Sequence, residues 1–405
     1  MLVGCAAAAL LIANSPWSAL YHRIWALPLA VSVGGHELGL TLHGWINDGL
    51  MAVFFLLVGL EIKRETLVGE LSSLRQAALP IAAAVGGMVV PALLYLSISG
   101  RGIEASGWAI PMATDIAFAL GVLALVAPRA PAGLRIFLAA LAIVDDMGAV
   151  AVIALFFTQT IIWASLAGAG VVLALLIALN LSGVRRLAPY LILGVLLWLF
   201  VHESGVHATI AGVLLAFTIP VGTRIDAAEY AVQARELIDE FERKETGDLL
   251  VLTSRGQLEA IVQLEHASEA VIAPLLRLEH ALHQFSVFAI MPLFAFSNAG
   301  VSFGGVTSAR LTLAVALGLI VGKPLGISLS AWAAVRSRLG TLPEGVSWGA
   351  LHGCAWLGGI GFTMSLFIAT LALEGTPLVD SAKVGIIAGS LVAGVVGAVV
   401  VRRSV

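Results

Sequence analysis

Long apolar runs separated by short polar joints dominate the chain. They fall near 46–62, 76–99, 107–128, 132–158, 161–181, 187–201, 205–221, 281–303, 311–335, 347–373 and 380–401. Most approach the roughly 20 residues a helix needs to cross a bilayer. The pattern predicts an all-α polytopic membrane protein with eleven spans, or twelve if the shorter run Met1–Ala13 also crosses. That first run lacks the basic start of a cleavable signal peptide. It is also short for a crossing, so either the helix is truncated here or the true start lies upstream.

Two stretches break the pattern. Residues 22–44 hold alternating segments Leu29–Val33 and Leu38–Leu42 around Gly34-Gly35, which predicts a β-hairpin. Residues 223–280 are polar and hold 18 charges, 12 of them acidic, with amphipathic helices expected over Ala228–Glu245 and Gln257–Arg277. They read as a solvated insertion between spans eight and nine of a single membrane domain, 1–405.

Basic joints orient the spans. Lys63, Arg64, Arg75, Arg129, Arg135, Arg185, Arg186, Arg336, Arg338, Arg402 and Arg403 gather on one side; Arg23, Arg101 and Arg310 lie on the other. Because Lys and Arg favour the cytoplasmic side, both termini are expected in the cytoplasm, with the 22–44 hairpin and the ends of the odd spans outside. Composition agrees with the membrane reading: 60% of residues are hydrophobic and 12% charged, with mean hydropathy +1.01. The net charge of −3 argues against a nucleic-acid partner. Cys5 and Cys354 are scattered in apolar runs and suggest neither a disulfide nor a metal site.

Four ionisable residues sit deep inside apolar spans: Asp115, Asp145, Asp146 and Lys323. A charge at the centre of a bilayer costs roughly 2.5–3.5 kcal/mol on insertion scales, so such residues face one another or a wet cavity and mark ion or proton paths. Span four, with Pro111, Thr114 and Asp115, and span eleven, with Gly358, Gly359 and Gly361, are both expected to be interrupted. A break is tolerated only where protein or water covers the freed backbone, and it leaves opposed half-helix dipoles at mid-membrane. A Gly-rich packing face is the plain alternative for span eleven. Adjacent on one helix, Asp145 and Asp146 point about 100° apart, so one can bind a cation while the other holds a partner. Lys323 is the candidate partner.

These stretches carry a resemblance. Trp45–Glu65, Ala109–Leu125, Ala142–Asp146, Ser204–Thr209, Pro292–Gly300, Gly322–Ser328 and Gly358–Ser365 together resemble the NhaA-type sodium/proton antiporters, in order and over nearly the whole chain. The resemblance implies twelve helices, inverted repeats and crossed broken helices four and eleven. It implies electrogenic, pH-regulated exchange of cytoplasmic Na+, or Li+, for external H+ in a bacterial inner membrane, with no cofactor. By the same resemblance Asp145 and Asp146 bind cation and protons, Asp115 and Thr114 compensate the break in helix four, and Lys323 pairs with the first aspartate. Glu61, Arg64, Glu65, Glu279, His280 and His283, together with His207, match residues linked to pH response. The hairpin resembles a homodimer contact. The 223–280 loop is longer than the family's usual connection.

Other readings are weaker. An intramembrane aspartyl protease needs two carboxylates facing across a site, whereas the adjacent pair here lies on one helix; Asp115 with Asp146 is the arrangement that keeps it open. An organic-anion carrier would want cations facing its substrate, and Lys323 is surrounded by acids. A channel would pass current without proton counterflow. The run His202-Glu203-Ser-Gly-Val-His207 has the wrong spacing for a zinc helix. The Glu61–Glu65 run also suits a helix end at the lipid boundary, and Glu279–His283 also suits the start of helix nine.

Overall fold

The computed structural model describes residues 1–405 except 34–35, 159 and 244–254. In chain order the apolar helices are Leu2–Ala13, Leu42–Val68, Leu74–Ser99, the pair Ile103–Met112 and Ile116–Val126, Ala132–Phe156, Trp163–Leu181, Leu187–Glu203, Ile210–Thr218, Pro274–Asn298, Ala309–Arg336, the pair Trp348–Leu357 and Phe362–Ala372, and Val379–Ser404. They correspond one for one to spans one to twelve. Among the described residues seven helices are long and apolar enough to cross a bilayer alone, or ten if each bent pair counts as one. The short apolar helices of spans seven and eight bring the total to about twelve.

The chain enters span two through a short helix, Ser18–Trp25, bent 117° away from span one, and a hairpin of β1 (Pro28–Val33) and β2 (His36–Thr41). The strands pair antiparallel from Pro28↔Thr41 to Val33↔His36. The Gly34-Gly35 turn expected there lies outside the described residues.

Spans three to five and ten to twelve form two three-helix units, each with an interrupted middle helix. Span three leaves the Arg75 side, while span ten starts at Arg310 and ends at Arg336, so the units run in opposite directions. Spans three and ten meet backbone to backbone. A Cβ on Gly86 would lie 2.4 Å from Gly326 O, and one on Gly326 2.1 Å from Gly86 O. Such contact needs glycine, and it is how helices associate where lipid removes the hydrophobic drive. Span five buries 56% of its apolar window but span six only 17%; span five is therefore central and span six peripheral. Leu125, Leu155 and Leu181 point outward, 77–84% exposed, as lipid-facing side chains can.

The polar insertion forms helices Ala227–Arg243 and Arg255–Val271, packed on each other through Tyr230 and Ser268, whose hydroxyls lie 3.0 Å apart. Its second helix stops at Val271, six residues before the expected end at Arg277. Pro274 lacks an N–H and begins the next helix, and a proline disfavours helix in the residue before it. Leu275–Arg277 therefore belong to span nine. The last two residues of the first expected helix, 244–245, lie outside the described residues.

Candidate ion site at the crossing of two broken helices

Spans four and eleven bend by 41° and 45° at their interruptions. In span four, Ala113 and Asp115 are extended, with ψ of 146° and 101°, after a 3₁₀ helix that contains Pro111. In span eleven, Gly358 and Gly361 have ordinary φ values of −60° and −90°, so the glycines are not there for left-handed backbone. They allow close approach instead. A Cβ on Gly359 would meet Leu319 O of span ten at 2.6 Å, and one on Gly361 would meet Ser365 Oγ at 2.1 Å. The two interruptions touch: Asp115 N–H donates to Ile360 O at 2.7 Å.

Each freed helix end finds a partner across the crossing. Thr114 Oγ1 donates to Gly358 O at 2.8 Å, and Ser365 Oγ donates to Ile110 O at 2.8 Å. One hydroxyl sits within its break and the other on the first turn after its own, and each serves a carbonyl at the end of the opposite half-helix. The Asp115 carboxylate collects the opposite ends. It accepts from Phe118 N–H at 3.1 Å, from Thr363 N–H at 3.0 Å and from the Thr363 hydroxyl. One negative charge thus satisfies two helix N-termini. Sequence reasoning passed over Thr363 and Ser365 as site residues, because a hydroxyl in an apolar span declares no partner.

Lys323 follows a π-helical turn, Gly318–Gly322, in span ten. π-turns are rare and often accompany functional sites. Its glycines let the turn lie against neighbouring prolines: Cβ atoms on Gly318 and Gly322 would meet Pro111 Cβ at 2.6 Å and Pro91 Cα at 2.5 Å. The turn delivers the ammonium to Asp145 Oδ2 at 2.6 Å and Thr114 Oγ1 at 2.8 Å. Lys323 and Asp145 are each 1% exposed. Asp146, one residue on, is also 1% exposed. Both its oxygens, with Oδ1 of Asp145, are buried without a hydrogen-bond partner among the described residues. Three carboxylate oxygens on adjacent residues are thus left without a protein partner, next to the Lys323 contact. Oxygen donors of this kind suit hard cations and protons alike.

The residues expected in a pH-response group divide. Arg64 Nε donates to Glu279 Oε1 and Oε2 at 3.1 and 3.2 Å, and Arg64 Nη1 lies 2.8 Å from Glu65 Oε1. His283 Nδ1 is 4.0 Å from Glu61 Oε1. His280 is exposed and turns to its own helix, Nδ1 against Leu276 O at 3.1 Å. His207 is elsewhere, near the opposite end of span two, with Nε2 3.7 Å from Asp48 Oδ1. Lys63, counted above among the orienting loop cations, is 8% exposed and donates to Phe217 O and Ile219 O at 2.6 Å each, closing the C-terminus of span eight. Lys383, 8% exposed in span twelve, is a further intramembrane charge missed because it lies close to the span's end.

A family model described as Na+/H+ antiporter 1 matches residues 1–401. The chain belongs to the Na+/H+ antiporter 1 family. A Na(+)/H(+) antiporter NhaA of Koribacter versatilis is 51% identical over 407 residues, spanning 100% of this chain and 88% of the relative. One from Rhodospirillum rubrum is 49% identical, over 100% and 94%. Among solved structures, the sodium proton antiporter MjNhaP1 from Methanocaldococcus jannaschii at pH 8 superposes with a TM-score of 0.50 at 14% identity, over 98% of this chain and 90% of that one. At that identity the likeness concerns the fold.

Proposed function

We propose that this member of the Na+/H+ antiporter 1 family exchanges Na+ for H+ across a membrane, with Asp145 and Asp146 as the shared binding groups. It is a secondary transporter. The single observation that carries the assignment is the trio of unpartnered carboxylate oxygens on Asp145 and Asp146 beside Lys323.

A carboxyl that holds a proton cannot present both oxygens to a hard cation. Sodium and protons therefore compete for the same acids, and competition yields exchange if the site opens to one side at a time. Adjacent acids titrate as a pair. Lys323 keeps one oxygen of Asp145 engaged, so a cation bound by both aspartates takes Oδ1 of Asp145 and weakens the lysine contact. Thr114 and Asp115 compensate the half-helix ends and keep the crossing assembled without binding the ion. Li+, also a hard cation, is the alternative cargo. With two acids and a lysine available to protons, more than one proton returns per cation and the exchange is electrogenic.

Further assignments rest on the same reading. The basic residues of the joints favour a bacterial inner-membrane orientation with both termini in the cytoplasm. The Glu61, Arg64, Glu65, Glu279 and His283 group then lies at the cytoplasmic mouth, where titration can adjust the packing of spans two and nine. The hairpin carries exposed Leu29 and Val31 and is the proposed contact between two copies.

The test is the proton released when sodium is added to purified, weakly buffered protein. Release that grows as pH falls towards the titration of the pair, with an apparent sodium affinity that strengthens as pH rises, is expected. Sodium uptake with no release at any pH overturns the shared site.

A further inference from the structure

A groove of about 450 Å³ runs between spans one and twelve, over a floor made by the two broken helices. Val3, Ala7 and Leu10 form one wall. Ile387, Leu391, Val395 and Ala398 form the other, and their spacing of three and four residues puts them on one face of span twelve. Phe118 of span four and Ile360 and Phe362 of span eleven close the bottom. The exchange proposed above uses none of these side chains.

The occupant must be apolar and must come from the bilayer. Ser390 alone among the lining residues has a polar side chain, and its Oγ already accepts from Phe362 N–H at 3.1 Å. The lining therefore offers no free polar side chain to water or to an ion. The groove is open along its rim: Val3, Leu391 and Val395 are 65%, 68% and 57% exposed, in helices that cross the membrane. Its length is that of one leaflet. Span twelve rises about 16 Å from Ile387 to Ala398, half of a hydrocarbon core about 30 Å thick.

The charge at one end is one-sided. Span one starts, and spans four and twelve end, on the same side of the membrane. Residues 1–10, 116–130 and 387–404 hold Arg129, Arg402 and Arg403 and no acidic residue. Arg402 continues the lining face one turn past Ala398. All three arginines are exposed. An adjoining loop brings one acid, Glu344, whose carbonyl lies beside Gly133, so the cations outnumber it.

We propose that this groove binds an anionic phospholipid, with one acyl chain lying on Phe118 and Phe362 and the phosphate held by Arg402 and Arg403. The guanidinium fork matches a phosphate group, and basic residues next to a span attract anionic headgroups. The bound chain packs the lipid-facing side of the crossing. There the Phe118 and Phe362 rings are 5.1 Å apart, and Ile360 O accepts from Asp115 N–H at 2.7 Å.

The experiment is native mass spectrometry of the delipidated full-length protein in detergent, titrated separately with dioleoyl phosphatidylglycerol and dioleoyl phosphatidylcholine. One phosphatidylglycerol is expected to bind at least about tenfold more tightly than phosphatidylcholine, the scale of one hydrogen bond to a charged group. Arg402→Gln combined with Arg403→Gln should bring the two lipids level. Gly394→Phe fills the groove from span twelve, where the nearest atom to an added Cβ is Ile360 Cδ1 at 3.4 Å. It should remove the tight binding while leaving the arginines in place. Should it misfold, Ala7→Phe fills the groove from span one and is expected to do the same. Asp146→Asn should bind lipid as wild type does, which keeps this test apart from the exchange reading. Equal affinity for the two lipids in wild type, or tight binding that survives a filling variant, overturns the proposal. So does equally tight binding of dihexanoyl phosphatidylglycerol, which would assign the arginines to a phosphate group without a chain. A dimer that the filling variants split, with bound lipid unchanged, would give the groove to a second copy and overturn it too.

Discussion

Asp115 and Asp146 are the same residue type, 0% and 1% exposed, each inside an apolar span. They differ in what surrounds them. Asp115 accepts hydrogen bonds from two backbone N–H groups and a hydroxyl; Asp146 accepts none among the described residues. A carboxylate whose acceptor sites are filled by its own protein is fastening two helix ends together. One that its own protein leaves without a partner is free to take a cation or a proton in turn. Burial and charge alone do not distinguish a structural acid from a binding one; the count of satisfied oxygens does.

The largest effect expected from this contrast is on transport. Asp146→Asn should abolish sodium-induced proton release, while Asp115→Asn should retain measurable release from a less stable protein. Equal loss in both, with both still folded by size-exclusion chromatography, would break the comparison. Next in size is Lys323→Ala, which leaves Asp145 buried without its partner and should cost about 3–5 kcal/mol in denaturant-unfolding midpoints. The double variant Lys323→Ala with Asp145→Asn should regain part of that loss, because the stranded charge is gone. Ser365→Ala removes one reciprocal cap and leaves Ile110 O unpaired in the crossing, about 1–3 kcal/mol; Ser365→Thr should recover most of it if the hydroxyl is what matters. The smallest effect on stability belongs to Arg64→Ala. Its side chain is 34% exposed, so the loss should stay below about 1 kcal/mol, but the pH at which exchange switches on should move. An unmoved pH profile would reduce the Arg64–Glu279 pair to a simple fastening of spans two and nine.

Much of this arrangement was legible beforehand. Asp115, Asp145, Asp146 and Lys323 stand out in sequence because charge is rare in apolar runs. Lys63 did not stand out as a buried group. It ends an apolar run beside Arg64, where a solvated cation is ordinary, and only the position of span eight's last carbonyls turns it inward. Likewise the Pro274 boundary was readable from proline chemistry, yet the amphipathic pattern runs across it and masked the stop. His280 and His283 share a motif three residues apart, and helix rotation carries one towards Glu61 and the other away.

The sequence by itself determined the membrane class, the order of the eleven or twelve apolar runs, the two interruptions and the identity of the central charges. Those follow from local physics: hydropathy, helix length and the backbone demands of proline and glycine need no distant partner. What only the tertiary structure decided is which oxygen is satisfied. Thr363 reaches Asp115 across 248 positions and Lys323 reaches Asp145 across 178. No periodicity encodes a pairing over such separations. It is set by how the spans pack on one another, which leaves Asp146 without a partner among the described residues.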